Sequence, residues 1–245
     1  MKTFGLIGEK LIHSFSKKYF TEKFETKGIC ARYELFELPE ISHFPLLIAN
    51  NHFSGLNVTI PYKEKVIPFL DELDPMARAV GAVNTIQFIQ TGERIVLKGY
   101  NTDVIGFSNS FALLLQPQHR HALILGTGGA SKAVAYALKT LNIDHRFVSR
   151  EPAERIYSYQ QLTKEIVEKY KIIINCTPVG TFPNVDVAPG IPYQYLSSEH
   201  LLYDLIYNPE KTLFCKLGEE RGATIKSGLD MLYGQAEAAW AIWNA

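Results

Sequence analysis

Short apolar runs alternate along the 245-residue chain with segments whose apolar positions recur at helical spacing. Runs at residues 3–7, 33–38, 55–60, 122–125, 145–149, 171–175 and 201–206 read as strands, several of them apolar throughout, as buried parallel strands are. Helices are expected over 17–27, with Tyr19, Phe20 and Phe24 on one side and Ser16 as N-cap, over 41–50 after Pro39, and over 211–221. Another is expected from Pro61, tolerated at a first helical position, with Tyr62, Val66, Phe69, Leu70 and Leu73 on one stripe and Lys63 in its first turn. Residues 83–90 and 95–99 flank Thr91-Gly92, a hairpin signal. A helix carrying Val104, Phe107, Phe111 and Leu114 follows, with Thr102 as a cap candidate, and a last helix spans 229–243. Residues 181–192, rich in Pro and Gly, read as an irregular loop. Alternating strands and helices imply an α/β fold, a parallel sheet with helices on both faces.

The most informative stretch is residues 121–138, HALILGTGGASKAVAYAL, a strand, a glycine turn and a helix start. That context is what a dinucleotide-binding fingerprint requires. Gly126 and Gly128 would permit the tight turn and close approach of a pyrophosphate, whose charge the N-terminus of the following helix would hold. Ser131 stands where the third glycine usually does. The bland alternative is an ordinary strand-to-helix turn, but three glycines in four residues exceed what one turn needs, at roughly 0.5 to 1 kcal/mol each. The next strand ends in Ser149 and Arg150, about 20 residues on, where an NAD site normally carries an acidic residue. An arginine there suits a 2′-phosphate, so the cofactor expected is NADP ahead of NAD. Glu151, directly after, repels such a phosphate.

Hydrophobic residues make up 47% and charged residues 20%, with formal net charge zero, which gives no support to nucleic acid or an acidic membrane as partner. Three separated cysteines, Cys30, Cys176 and Cys215, suggest reduced thiols and a cytoplasmic protein. The N-terminal apolar run is too short for a signal peptide, no stretch is long enough to span a bilayer, and the histidines show no metal-ligand spacing.

Some polar residues ask for more than a structural account. Lys63, in a first helical turn, would oppose the helix dipole at about 0.3 to 1 kcal/mol, although a solvated lysine is a respectable alternative. Asp103 in a first turn is where that dipole favours a carboxylate, so structure alone could account for it. Gln235 falls on the apolar face of the last helix, where an unpartnered amide costs about 1 to 3 kcal/mol; its partners are either protein groups or a polar ligand. Ser14 is not explained by capping if Ser16 is the cap.

Together these motifs resemble the shikimate dehydrogenase family: Ser14 and Ser16, NVTIPYK at 57–63, GAVNT at 81–85, YNTD at 100–103, GTGGAS at 126–131, NCTPVG at 175–180 and GLDMLYGQA at 228–236. They fall in family order over nearly the whole chain, and seven in register are far more specific than any one. The resemblance implies a two-domain protein: residues 1–102 with 229–245 would form an α/β substrate domain and 103–228 a Rossmann-like NADP domain, the active site lying in the cleft between them. It implies reversible reduction of 3-dehydroshikimate to shikimate, a step toward aromatic amino acids, by a monomer or homodimer. Lys63 and Asp103 would address the reacting oxygen. Ser14 and Ser16 would hold the substrate carboxylate, with Thr59, Asn84, Tyr207 and Gln235 as further substrate contacts. Gly126, Thr127, Gly128, Gly129, Ala130, Ser149, Arg150, Thr177, Leu205 and Gly228 would bind the cofactor.

Departures from the family pattern are Thr127 for the commoner alanine, Ser149-Arg150-Glu151 for the usual Asn-Arg-Thr phosphate clamp, and Asp230 for a glycine. The competing readings are a quinate/shikimate dehydrogenase that accepts NAD, for which Glu151 is the discriminating feature, and a non-catalytic ligand sensor of the same fold. Retention of both Lys63 and Asp103 argues against the sensor.

Overall fold

A computed structural model describes residues 1–11, 14–151 and 153–245. The chain divides into two compact units, Met1–Thr102 with Ala236–Ala245, and Asp103–Gln235. The division falls inside the last helix, not at its start.

The first unit contains strand β1 (Lys2–Gly8), helix α1 (Phe15–Lys27), β2 (Ala31–Glu37), α2 (Phe44–Ala49), β3 (Gly55–Val58), the short β4 (Glu72–Leu73), α3 (Pro75–Val80), and the hairpin β5 (Thr85–Thr91) and β6 (Arg94–Tyr100). They form one six-stranded sheet in the order β2-β1-β3-β5-β6-β4. The β2, β1 and β3 strands run parallel, and β5 is antiparallel to both β3 and β6. Two apolar clusters cover the sheet, one around Ile7, Phe44, Leu56, Val66 and Ile86, the other around Phe4, Phe20, Phe24 and Trp243.

Helix α1 begins two residues earlier than its apolar pattern suggests. Ser14, not Ser16, is the N-cap, its hydroxyl accepting from the Lys17 N–H at 3.2 Å, which leaves Ser16 inside the first turn. Gly28, at φ 61°, closes the helix in the left-handed conformation that glycine adopts without strain.

The helix expected after Pro61 does not form. Residues 61 and 63–66 are turns, and only Ile67–Phe69 make a single 3-10 turn. Pro68 sits within the expected stripe and has no N–H to give, so a continuous α-helix there would lose a hydrogen bond and meet a ring clash. The stripe residues still turn inward: Tyr62 and Val66 are buried and Phe69, Leu70 and Leu73 pack against the same cluster.

The second unit contains α4 (Asp103–Ala112), β7 (His121–Leu125), α5 (Gly129–Thr140), β8 (Asp144–Ser149), β9 (Ile156–Ser158), α6 (Lys164–Lys169), β10 (Ile172–Asn175), β11 (Leu201–Asp204), α7 (Leu213–Glu219) and β12 (Thr224–Lys226), and it takes in the start of α8 (Leu229–Trp243). Its six strands are all parallel, in the order β12-β11-β10-β7-β8-β9. The chain winds outward one way from β7 and the other way from β10, so the strand order reverses between these two. That reversal is where open α/β sheets bind ligands, at the carboxyl ends of the strands.

The far end of α8 belongs to the first unit. Trp243 lies flat against Gly55, leaving no room for a side chain there, donates its indole N–H to the Ile86 carbonyl at 3.0 Å, and has its ring 4.9 Å from that of Phe4.

Candidate functional site

In the first unit a buried chain of hydrogen bonds crosses the sheet. Close to Ser16, Tyr33 reaches over β1 to donate its phenol to Asn57 Oδ1 at 2.7 Å. Burial pushes the Tyr33 phenol far up, so it remains a donor at neutral pH. The Asn57 amide in turn donates to the Asn84 carbonyl and to Thr85 Oγ1, both at 3.1 Å. Asn84 Oδ1 accepts from the Thr102 N–H at 2.7 Å, from Thr102 Oγ1 at 3.1 Å and from Thr85 Oγ1 at 3.2 Å. With its oxygen committed to three donors, the carboxamide of Asn84 is held in one orientation.

Lys63 and Thr59 flank the same segment. The Val83 N–H donates to the Lys63 carbonyl at 2.7 Å, which ties the lysine backbone to the residue before Asn84. Lys63 is half-buried in a turn, so the helix-dipole argument does not apply to it. Thr59 follows β3, its N–H donating to the Ile7 carbonyl at 2.9 Å, and its methyl group closes off the space a side chain at Gly8 would need.

In the second unit the glycine turn joins β7 to α5 at the point where strand order reverses. Gly126 has φ 97° and faces the methyl of Thr177, so glycine is required there by the backbone. Gly128 is different. It caps α5 in extended conformation at φ −75°, and a Cβ built on it would meet nothing within 4 Å. The turn itself therefore does not demand glycine at 128; bare backbone beside a helix N-terminus suits a pyrophosphate instead. Ser131, at the third-glycine position, is buried and returns its hydroxyl to the Gly128 carbonyl at 2.6 Å. Thr127 is exposed, and Gly129 and Ala130 open α5.

Ser149 ends β8, paired with Ser158 of β9, and Arg150 and Glu151 follow on the surface. Burial raises the Tyr159 phenol and the Arg150 cation lowers it in part. Across the switch point the loop after β10 is held by a buried carboxylate. Thr177 gives its hydroxyl to Asn175 Oδ1 at 2.6 Å and accepts from the Val179 N–H at 3.2 Å. The Asn175 amide donates to Asp204 Oδ1 at 3.0 Å, where the Ile206 N–H also donates at 3.0 Å, and Thr212 donates to Asp204 Oδ2 at 2.6 Å. Leu205 and Gly228 lie so close that the Leu205 carbonyl leaves no space for a side chain at 228.

Asp103 opens α4 and is buried, and the start of α8 packs against that helix through facing glycines. A Cβ on Gly234 would lie 3.0 Å from the Gly106 Cα, and one on Gly106 would meet the Met231 carbonyl. Gln235 stands beside this contact and is 7% exposed, so its carboxamide has to be satisfied by hydrogen bonds rather than by bulk water. Tyr207 is half-buried in the segment after β11.

The structure thus gathers Ser16, Asn84 and, through the main chain, Lys63 in the first unit. In the second it gathers Gly126, Thr177, Leu205 and Gly228 at the carboxyl ends of β7, β10 and β11. Sequence reasoning missed Tyr33, Asp204 and Thr212, and it quoted Asn57 and Asn175 within motifs without giving them a role. The available signal was a polar residue inside an apolar run, Asn57 in GLNVTI and Asp204 in LLYDLI. Burial pushes the Cys215 thiol up to about 11 and the Cys176 thiol well above its usual range, so neither is a thiolate at neutral pH.

Comparison with known proteins bears on both units. Residues 6–86 match the family model described as the shikimate dehydrogenase substrate binding domain. A curated relative from Clostridium beijerinckii, shikimate dehydrogenase (NADP(+)), is 36% identical over 100% of this chain and 92% of its own. The crystal structure of shikimate dehydrogenase 1 from Peptoclostridium difficile superposes with a TM-score of 0.86 at 38% identity, covering 100% of this chain and 92% of that one. The Thermus thermophilus shikimate 5-dehydrogenase, solved in complex with NADP(H) and shikimate, gives a TM-score of 0.85 at 29% identity over 99% and 93%. With identity of this order running through both units, the chain belongs to the shikimate dehydrogenase family.

Proposed function

We propose that this protein is an NADP-dependent oxidoreductase that interconverts 3-dehydroshikimate and shikimate, the first unit binding the substrate and the second the cofactor. The observation that carries the reading is the full-length identity to curated enzymes of that activity; the roles given below to Lys63, Asn84, Asp103 and Gln235 rest on the motifs that contain them.

NADPH, when bound, supplies a hydride to the ketone carbon. Negative charge then develops on the ketone oxygen, and the Lys63 ammonium stabilises it and delivers the proton that completes the alcohol. In the reverse direction Lys63 takes that proton back. Asp103 accepts a hydrogen bond from the same hydroxyl and orients it. The Ser14 and Ser16 hydroxyls hold the substrate carboxylate, and Thr59, Asn84, Tyr207 and Gln235 recognise the ring hydroxyls. Gln235 is suited to this because a buried carboxamide needs hydrogen-bond partners and a polyhydroxylated ring supplies them.

The Gly126, Thr127, Gly128, Gly129 and Ala130 backbone holds the pyrophosphate. Ser149 and Arg150 hold the 2′-phosphate, and Thr177, Leu205 and Gly228 line the nicotinamide end. No helix among the described residues is long and apolar enough to cross a membrane. The free cysteines are what a cytoplasmic enzyme would carry.

The test is the purified chain with shikimate and each oxidised cofactor in turn, following absorbance of the reduced nicotinamide. Faster turnover with NAD than with NADP would overturn the cofactor assignment and favour the quinate/shikimate dehydrogenase reading that rests on Glu151. Tight binding of shikimate with no cofactor reduction would overturn the enzyme assignment and favour a sensor.

A further inference from the structure

At the opposite end of β7 from the glycine turn, the second unit has a groove of about 720 Å³ at the amino ends of β7 and β8. That volume lies within the range of small-molecule sites. The five residues of β7 put it roughly 16 Å from Gly126 along the strand. Four permanent cations line it, Lys139, Arg146, Arg155 and Lys169, together with His121 and His145. Its one carboxylate, Asp144, has a side chain 89% exposed. In a chain whose formal net charge is zero, this is a local excess of positive charge inside a concavity.

The groove is also organised. Buried Tyr170 lines the same wall as Arg146, and the Arg146 cation partly offsets the rise that burial imposes on its phenol. The ladder between β8 and β9 covers only Phe147–Ser149, so residues 144–146 of β8 face the groove without a strand on that side. Among the described residues only Asn142 and Arg155 are non-glycine residues with positive φ, at 56° and 65°, and both line this groove. Asn142 is accounted for as the left-handed residue that closes α5. Arg155 is not: it occupies the tight turn in which the Ile156 N–H donates to the Ala153 carbonyl at 3.0 Å, a place where glycine or asparagine would sit without strain. The strained backbone at Arg155 thus puts a guanidinium with five N–H donors on the lining of a basic groove.

We propose that this groove is a second ligand site, specific for a small molecule with two or more phosphate or carboxylate groups. Arg146 and Arg155 grip the anionic groups in bidentate fashion, and Lys139 and Lys169 add point charges at the rim.

Calorimetric titration of the full chain with inorganic pyrophosphate and, separately, with citrate tests this and distinguishes phosphate from carboxylate chemistry. At least one of the two is expected to bind wild-type protein and Arg150→Gln equally, and the Lys139→Gln/Lys169→Gln variant about tenfold more weakly. Both lysines are exposed, so that variant keeps the fold. Absence of binding by either anion, or unchanged affinity in the lysine variant, overturns the proposal. As a second measurement, Arg155→Gly relieves the left-handed backbone and is expected to melt at a higher temperature while binding the anion more weakly; a variant that binds as well as wild type also overturns it.

Discussion

Asn175 and Asp204 stand directly opposite one another at the last rung of the β10–β11 ladder, and the amide of the first donates to the carboxylate of the second at 3.0 Å. Asp204 is fully buried, and it takes further hydrogen bonds from the Ile206 N–H and the Thr212 hydroxyl. Through Asn175 it also fixes Thr177, beside the glycine turn. One carboxylate therefore sets the geometry of two loops at the switch point. Replacing it with alanine strands three donors, so Asp204→Ala is expected to lose roughly 3 kcal/mol of stability, read from urea unfolding. Wild-type stability after this substitution would mean the network is incidental.

Desolvation outweighs these hydrogen bonds and pushes Asp204 up to about 6. Between its unfolded value of about 4 and 6 the native state binds the extra proton, so this group's contribution to stability falls as pH rises through that window and is flat above it. Asp204→Asn removes the titration. The melting temperature of the wild type, taken relative to that of the variant at each pH, should therefore fall between about pH 4 and 6 and level off above; a constant difference would assign the titration elsewhere.

Lys63→Ala should lower kcat by roughly a hundredfold or more with little change in KM, because the charge it stabilises is greatest in the transition state. Steady-state kinetics with shikimate decide the matter. A variant that loses only substrate affinity would reassign Lys63 to binding.

Arg150→Ala should weaken NADPH about tenfold to a hundredfold while leaving NADH nearly unchanged. Glu151→Ala should move the preference the other way, toward NADPH. Equal losses for both cofactors in the arginine variant would remove Arg150 from the phosphate site.

The glycines separate folding from binding. Gly126→Ala places a side chain at φ 97° and should destabilise the protein by about 1 to 2 kcal/mol. Gly128→Ala meets no atom within 4 Å, so its stability should stay within about 0.5 kcal/mol of wild type, while NADP binding falls because the pyrophosphate can no longer approach bare backbone. Paired melting curves and cofactor titrations would show the contrast; a stable Gly128→Ala that binds NADP normally would place the phosphates elsewhere.

The α/β alternation, the hairpin and the last helix were legible because each rests on local signals. Residues 229–243 are bounded in the structure as their apolar spacing implies, and Thr91-Gly92 turns the hairpin with Gly92 at φ 61°. The stretch after Pro61 was misread because its apolar spacing serves burial equally well from consecutive turns, and Pro68 decides between the two. Ser14 and Ser16 were interchanged as caps because a two-residue shift in a helix start barely changes its apolar face. Phe15–Lys27 shows what decided it: the hydroxyl three residues before the Lys17 N–H is that of Ser14. The β4, β9 and β12 strands, three residues or fewer each, carry too few side chains to register as a pattern. The motifs name candidate site residues one by one. The groups that hold them, Tyr33 under Asn57 and Asp204 under Asn175, depend on pairings distant in the chain that spacing does not reveal.

The Trp243 indole, wedged on Gly55 and bonded to Ile86, seals the strands of the first unit with a ring that follows the whole second unit in sequence. Bringing such distant segments together costs loop-closure entropy before any contact repays it, so the first unit is expected to be the slower of the two to assemble from the unfolded chain.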